Sequence, residues 1–254
     1  METKRRIHFL DEMRGFAILC MVVHHFFYTV GYLLDQRWGY EVFDFLCYVQ
    51  PIFWVVFIVT SGVCVQLSRS PLKRGAFVFG VGLLFTLVTA VLMPLFGFGG
   101  EEIYFGILHF LGAAMIIFAI FRKLLDKINI KAGMIISLLL FTMTYNVQNG
   151  YLFFENFLRI DLPDALYQTS YLFPLGFYSA SFHSADYFPL LPWLFLFLAG
   201  SFMGRYAKAG AFPEFTYRSH SKFLQMAGRN SLWIYILHQP VFYAVLLPIS
   251  KIFM

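Results

Sequence analysis

The sequence predicts an all-α membrane protein: a bundle of about seven transmembrane helices with one long outer loop, the N-terminus cytoplasmic and the C-terminus outside. Three observations predict it. The 254 residues are 59% hydrophobic and only 13% charged, with mean hydropathy +0.69, whereas a soluble domain carries about a quarter charged residues. The apolar residues come in long blocks and lack the period of two that a membrane barrel would show. Lys and Arg fall mainly on one side of those blocks.

A bilayer satisfies no backbone polar group, so the blocks are read as helices, each needing about 20 apolar residues. The first, Phe16–Leu34, follows Lys4, Arg5 and Arg6. A signal peptide has similar flanks, but this run is long, Asp11, Glu12 and Arg14 interrupt its approach, and no small-residue cleavage site follows; a retained helix is expected. The second and third blocks are Phe45–Leu67 and Ala76–Phe96. The fourth, Ile103–Phe121, carries His109 about six residues in, and the fifth, Ala132–Tyr145, is the shortest. The sixth, Tyr187–Met203, opens with Pro189 and Pro192. The seventh, Leu232–Phe253, carries His238, and Pro240 is expected to kink it and free backbone carbonyls. Residues 1–254 are read as a single integral domain.

These seven spans put 16 of the 19 basic residues on one side and nine of the 14 acidic residues on the other. Only Arg37, Arg159 and Lys251 break the basic pattern. The net charge of +5 is therefore a cytoplasmic rim facing anionic membrane lipid, and no nucleic acid is implied. Cys20, Cys47 and Cys64 sit within or at the edge of apolar blocks and read as small buried hydrophobes, with no disulfide framework. The segment Asn146–Asp186 is too long to be idle and is rich in aromatics, so it is expected to pack on the bundle or dip into the interface as a lid.

Polar residues inside apolar blocks carry the functional information. His24 and His25 lie in the first helix. Eleven residues beyond Arg14, at about 1.5 Å each, put His25 roughly 16 Å deep, and adjacent residues point about 100° apart, so only one of the pair faces a given neighbour. An imidazole with a pKa near 6.5 suits proton abstraction at neutral pH; the bland alternative is a packing histidine. His109 and His238 join the candidates. No His-x-x-x-His or Cys-x-x-Cys spacing occurs, so no metal is expected. At the cytoplasmic ends, Asp11 to Gly15 opens the first helix and Gly228-Arg229-Asn230-Ser231 opens the seventh. Acidic, Ser and Asn residues there are ordinary caps, yet helix N-termini beside Arg14 and Arg229 also suit a phosphate-bearing ligand. On the outside, Ser184 to Trp193 combines Asp186, aromatics and prolines, either as a kinked interfacial belt or as a mouth for a sugar.

Taken together, these stretches resemble the heparan-alpha-glucosaminide N-acetyltransferase catalytic-domain family, within the wider transmembrane acyltransferase group. The resemblance rests on Leu10-Asp11-Glu12-Met13-Arg14-Gly15 with His25 beyond it, Ser61-Gly62, Gly106 to Gly112, Asp186 to Trp193, and Gly228 to Pro240. It implies that acetyl-CoA, as co-substrate, enters from the cytosol and that the acetyl group passes to an amine or hydroxyl of an extracytoplasmic acceptor, an amino sugar or other glycan. It implies catalytic roles for His25, His109, His238 and Asp186, donor-binding roles for Arg14, Arg229, Asn230 and Asp11, a minimal bacterial relative in the cytoplasmic membrane, and compatibility with a homodimer. Lysosomal members carry an Asn where His25 stands and a reactive His after helix one, where this chain reads Asp35 to Tyr40 with no His. Two readings from other classes compete: a small-solute transporter with a His proton relay, against which the missing inverted repeat speaks, and a non-catalytic membrane scaffold.

Overall fold

Residues 5–97, 99–156, 158–169 and 171–253 are described by a computed structural model, with side chains described up to residue 249. Lys4 and the side chain of Lys251, both used in the charge pattern above, lie outside the described residues. Among these residues, seven helices are long and apolar enough to cross a membrane. They are α1 (His8–Leu34), α2 (Arg37–Leu67), α3 (Pro71–Leu95), α4 (Ile107–Leu125), α5 (Ile130–Thr144, whose span extends through a short 3-10 turn to Asn149), α6 (Leu190–Lys208) and, after a short helix α7 (Lys222–Arg229), α8 (Ser231–Phe253). Many apolar side chains on them are exposed, among them Tyr48 and Ile52 on α2, Leu83 on α3 and Leu139 on α5. Hydrocarbon solvates such faces, whereas water does not.

The element limits differ from the hydropathy blocks. Helix α1 starts at His8 and not at Phe16, and α2 at Arg37 and not at Phe45, because polar first turns are helical without being apolar. Helix α4 starts at Ile107 and α6 at Leu190, later than the blocks beginning at Ile103 and Tyr187. There the apolar run continues into non-helical chain. Gly228-Arg229 does not open the last helix. It ends α7, and Asn230 separates α7 from α8. Helix α8 runs without a break through Pro240 and Pro248. The outer loop adds a small correction to an all-α chain: Tyr151–Phe154 and Leu158–Asp161 form an antiparallel hairpin, Tyr151 opposite Asp161. Alternation over so few residues is invisible to a hydropathy window.

The chain divides into two compact units. The first comprises residues 1–60 and 210–254 and contains α1, α7, α8 and most of α2. Its tightest crossing is between α1 and α7. A Cβ on Gly15 would stand 2.0 Å from the Leu224 carbonyl oxygen, and one on Gly228 only 1.8 Å from that of Asp11. Two glycines thus let the two backbones touch. Glu12, buried in α1, accepts the N–H groups of His220 (2.7 Å) and Ser221 (3.0 Å) and the Gln225 amide (2.9 Å), and so holds the start of α7.

The second unit, residues 61–209, contains α3 to α6 and the hairpin. Helix α4 is its core: Phe110 and Phe118 are fully buried, as is Phe197 of α6. Helix α3 widens into a π-helical stretch at Leu87–Leu92 before ending at Leu95. It packs on α4 where Gly112 meets the backbone of Phe79, with room for no side chain.

Candidate active site

The first unit brings His25, Thr29, His238 and Gln239 together. His25 and Thr29 are four residues apart on one face of α1, and the other two are adjacent on α8. His25 Nδ1 lies 2.9 Å from His238 Nε2 and 3.3 Å from the Gln239 amide. His238 Nδ1 lies 2.6 Å from the Tyr235 carbonyl. A carbonyl can only accept, so His238 Nδ1 carries the proton and its Nε2 presents a lone pair. His25 Nδ1 must then donate to it.

The amide follows the same logic. Thr29 has one hydroxyl proton and donates it to the His25 carbonyl at 2.8 Å. The structure sets Gln239 Oε1 at 3.3 Å from the Thr29 oxygen and the amide nitrogen at 3.3 Å from His25 Nδ1. With the protons of Thr29 and His25 committed as above, the network is satisfied when this amide is turned over, so that its nitrogen donates to Thr29 and its oxygen accepts from His25 Nδ1. Every bond now agrees, and His25 Nε2 is left as a lone pair with no hydrogen-bond partner among the described residues. His24 points elsewhere. It is buried beside Phe43 and Phe53, with its Nε2 at 3.6 Å from Cys47 Sγ, and its Nδ1 has no partner among the described residues.

One helical stretch away, the α1–α7 crossing gathers the residues expected to hold the donor. Arg14 donates to the buried Ser231 hydroxyl at 2.7 Å and stands 5.9 Å over the Phe57 ring, while its buried Nε has no partner among the described residues. Arg229 bonds Gln225 at 3.2 Å and lies 3.7 Å from Asp11. Asp11 is held more closely by Arg6, at 2.6 Å. Asn230 is exposed, and its amide donates to the Met226 carbonyl at 2.8 Å. Sequence reading took Glu12 for a cap of its own helix. It caps α7 instead, a contact over 200 residues away that no local signal announces. Thr29 and Gln239 also went unnoticed, although the four-residue spacing to His25 was there to find.

The other two candidates belong to the second unit. His109 is the third residue of α4, not about the sixth, because the helix starts at Ile107. Its Nδ1 accepts the Gly106 N–H at 3.2 Å, and its Nε2 lies 3.1 Å from the Thr86 hydroxyl. Thr86 donates its proton to the Ile103 carbonyl, so His109 Nε2 donates and both ring nitrogens are committed. Asp186 accepts the Ile107 N–H at 3.0 Å and so caps the same helix start. Among the described residues, no group of three or more His, Cys, Asp and Glu could hold a metal ion.

The family described as heparan-alpha-glucosaminide N-acetyltransferase, catalytic, matches residues 6–240. The chain belongs to that family. The match runs from before Arg14 to Pro240 and so takes in both the His25–His238 pair and the Arg14 cluster. Heparan-alpha-glucosaminide N-acetyltransferase relatives are transmembrane acetyltransferases, in keeping with the seven apolar helices. No curated protein and no solved structure matches this chain.

Proposed function

We propose that the protein transfers an acetyl group from cytosolic acetyl-CoA to an amine or hydroxyl of an extracytoplasmic glycan acceptor, with His25 as the base. The observation that carries this reading is the free lone pair at His25 Nε2, fixed in place by His238 and Gln239. As the acceptor heteroatom attacks the thioester carbonyl, Nε2 takes its proton. The C–S bond then breaks and CoA leaves as its thiol form. Attack in a ternary complex and passage through an acetyl-His both use the same nitrogen.

Arg14, Arg229 and Asn230 hold the phosphates of the donor, and Asp11 steadies Arg229 beside them. The partner-free Arg14 Nε supports this assignment, since a buried guanidinium N–H favours an anionic acceptor. His109 and Asp186 act by building the start of α4. The chain works as one integral domain, residues 1–254, in a bacterial cytoplasmic membrane, with the N-terminus inside and the C-terminus outside. The grouping of Lys and Arg supports this orientation.

Thermal unfolding of the detergent-purified protein tests the donor half. Acetyl-CoA far above its dissociation constant should raise Tm, by about 2.7 kcal/mol of stability at a hundredfold excess. Arg14→Ala and Arg229→Ala should remove the rise. No shift at millimolar acetyl-CoA would return weight to a transporter or a scaffold.

A further inference from the structure

The second unit holds a cavity of about 330 Å³ between the chain before α4 and the loop before α6. That is the lower end of the range for small-molecule sites. One wall is aromatic. Phe173 and Phe182 stack at 5.2 Å with 24° between planes, Tyr178 lies 5.2 Å from Phe182, and Tyr104 stands 6.1 Å from it. The opposite character is supplied by Glu102, Thr169, Ser179, Ser181 and His183.

These polar groups are not used up by the fold. The Thr169 hydroxyl is buried and has no hydrogen-bond partner among the described residues. Ser179 and Ser181 share one bond at 3.0 Å, which leaves one of their two protons uncommitted. Glu102 accepts the Gly100 N–H at 3.1 Å and pairs with no Lys or Arg among the described residues. The Gly100 N–H foremost, with smaller help from its own backbone and from His183, holds the Glu102 carboxyl below the usual carboxylate range. The cavity is also tied shut at its base: Ala185 N–H donates to the Glu102 carbonyl at 2.9 Å, and Tyr187 to the Phe173 carbonyl at 2.5 Å.

We infer that this cavity binds one sugar ring that carries no acid group. The aromatic wall takes the C–H face of the ring. Thr169, the serine pair and Glu102 answer its hydroxyls, and Glu102 favours an amine and repels a carboxylate, sulfate or phosphate. A lipid tail would leave the Thr169 hydroxyl unanswered and set the Glu102 carboxylate, held only by the Gly100 N–H, against hydrocarbon. The inference rests on the acetyl-transfer reading only in calling the sugar part of the acceptor; binding needs no donor.

Saturation-transfer NMR on the full chain in detergent tests it, with methyl glucoside, glucosamine and glucuronate as probes. Ring protons of the first two should gain saturation, and those of glucuronate several-fold less. Ser181→Trp fills the cavity from its exposed rim and should abolish the signals without lowering Tm. Glu102→Gln should lower the glucosamine signal and raise that of glucuronate. No saturation with any probe, equal signals in Ser181→Trp, or a preference for glucuronate would overturn the site. In His25→Ala the signals should persist. Binding without acetyl transfer by the wild type would count against the catalytic reading and leave the site standing.

Discussion

His25 and His109 each sit well inside the protein, each bonds a threonine-bearing network, and each belongs to a sequence stretch that resembles the family. They differ in one respect. Around His109 every ring nitrogen has a fixed partner: Gly106 N–H on one side and Thr86 on the other. Around His25 the partners are all on Nδ1, and Nε2 stands free. A histidine committed at both nitrogens builds structure, while one committed at a single nitrogen can exchange a proton at the other. Burial alone therefore says little about role; the count of committed nitrogens says more.

Five substitutions probe that contrast. His25→Ala should cost about 10²–10⁴-fold in acetyl transfer, the usual contribution of a general base, with Tm nearly unchanged; full activity in this variant would end the assignment. His109→Ala should do the opposite. It removes a fully buried ring and unpairs Thr86 and Gly106, for a loss of about 2–4 kcal/mol in unfolding. Its turnover per folded molecule should hold, and a collapse of kcat at unchanged stability would put His109 back among the catalytic groups. His238→Ala should slow transfer about tenfold, or about 1.4 kcal/mol of barrier, by freeing the orientation of His25. His238→Gln, which restores an acceptor, should recover part of that rate in the same assay. Asp186→Asn should have the smallest effect, about 1 kcal/mol or less of stability through a weakened cap, read from denaturation midpoints.

Much of the architecture was legible because lipid imposes a coarse rule: apolar blocks of sufficient length become helices, and seven did. What hydropathy missed are the polar ends, such as His8 to Gly15, which are helical for reasons of packing against α7. For the site, His25 and His238 were both conspicuous as polar residues in apolar runs, but nothing local says that they meet. The choice between His24 and His25 was open for the same reason. Two neighbours on a helix differ only in what they face, and here one faces Cys47 and the other His238. His109 and Asp186 were read as chemistry because their residue types suit it. Only the positions of the Ile107 and Gly106 N–H groups show that both also bond the start of α4.

The hydrogen-bond chain through His25 begins at one main-chain oxygen, that of Tyr235, and ends at another, that of His25 itself. Neither oxygen can ever donate. The order of protons between them is thus written into the peptide backbone, which no exchange of side chains can rewrite. Mutation can cut this chain at Thr29, Gln239 or His238, and so silence it. As long as it stays connected its protons point away from His25 Nδ1 toward both ends, and the other nitrogen of His25, Nε2, is the basic one.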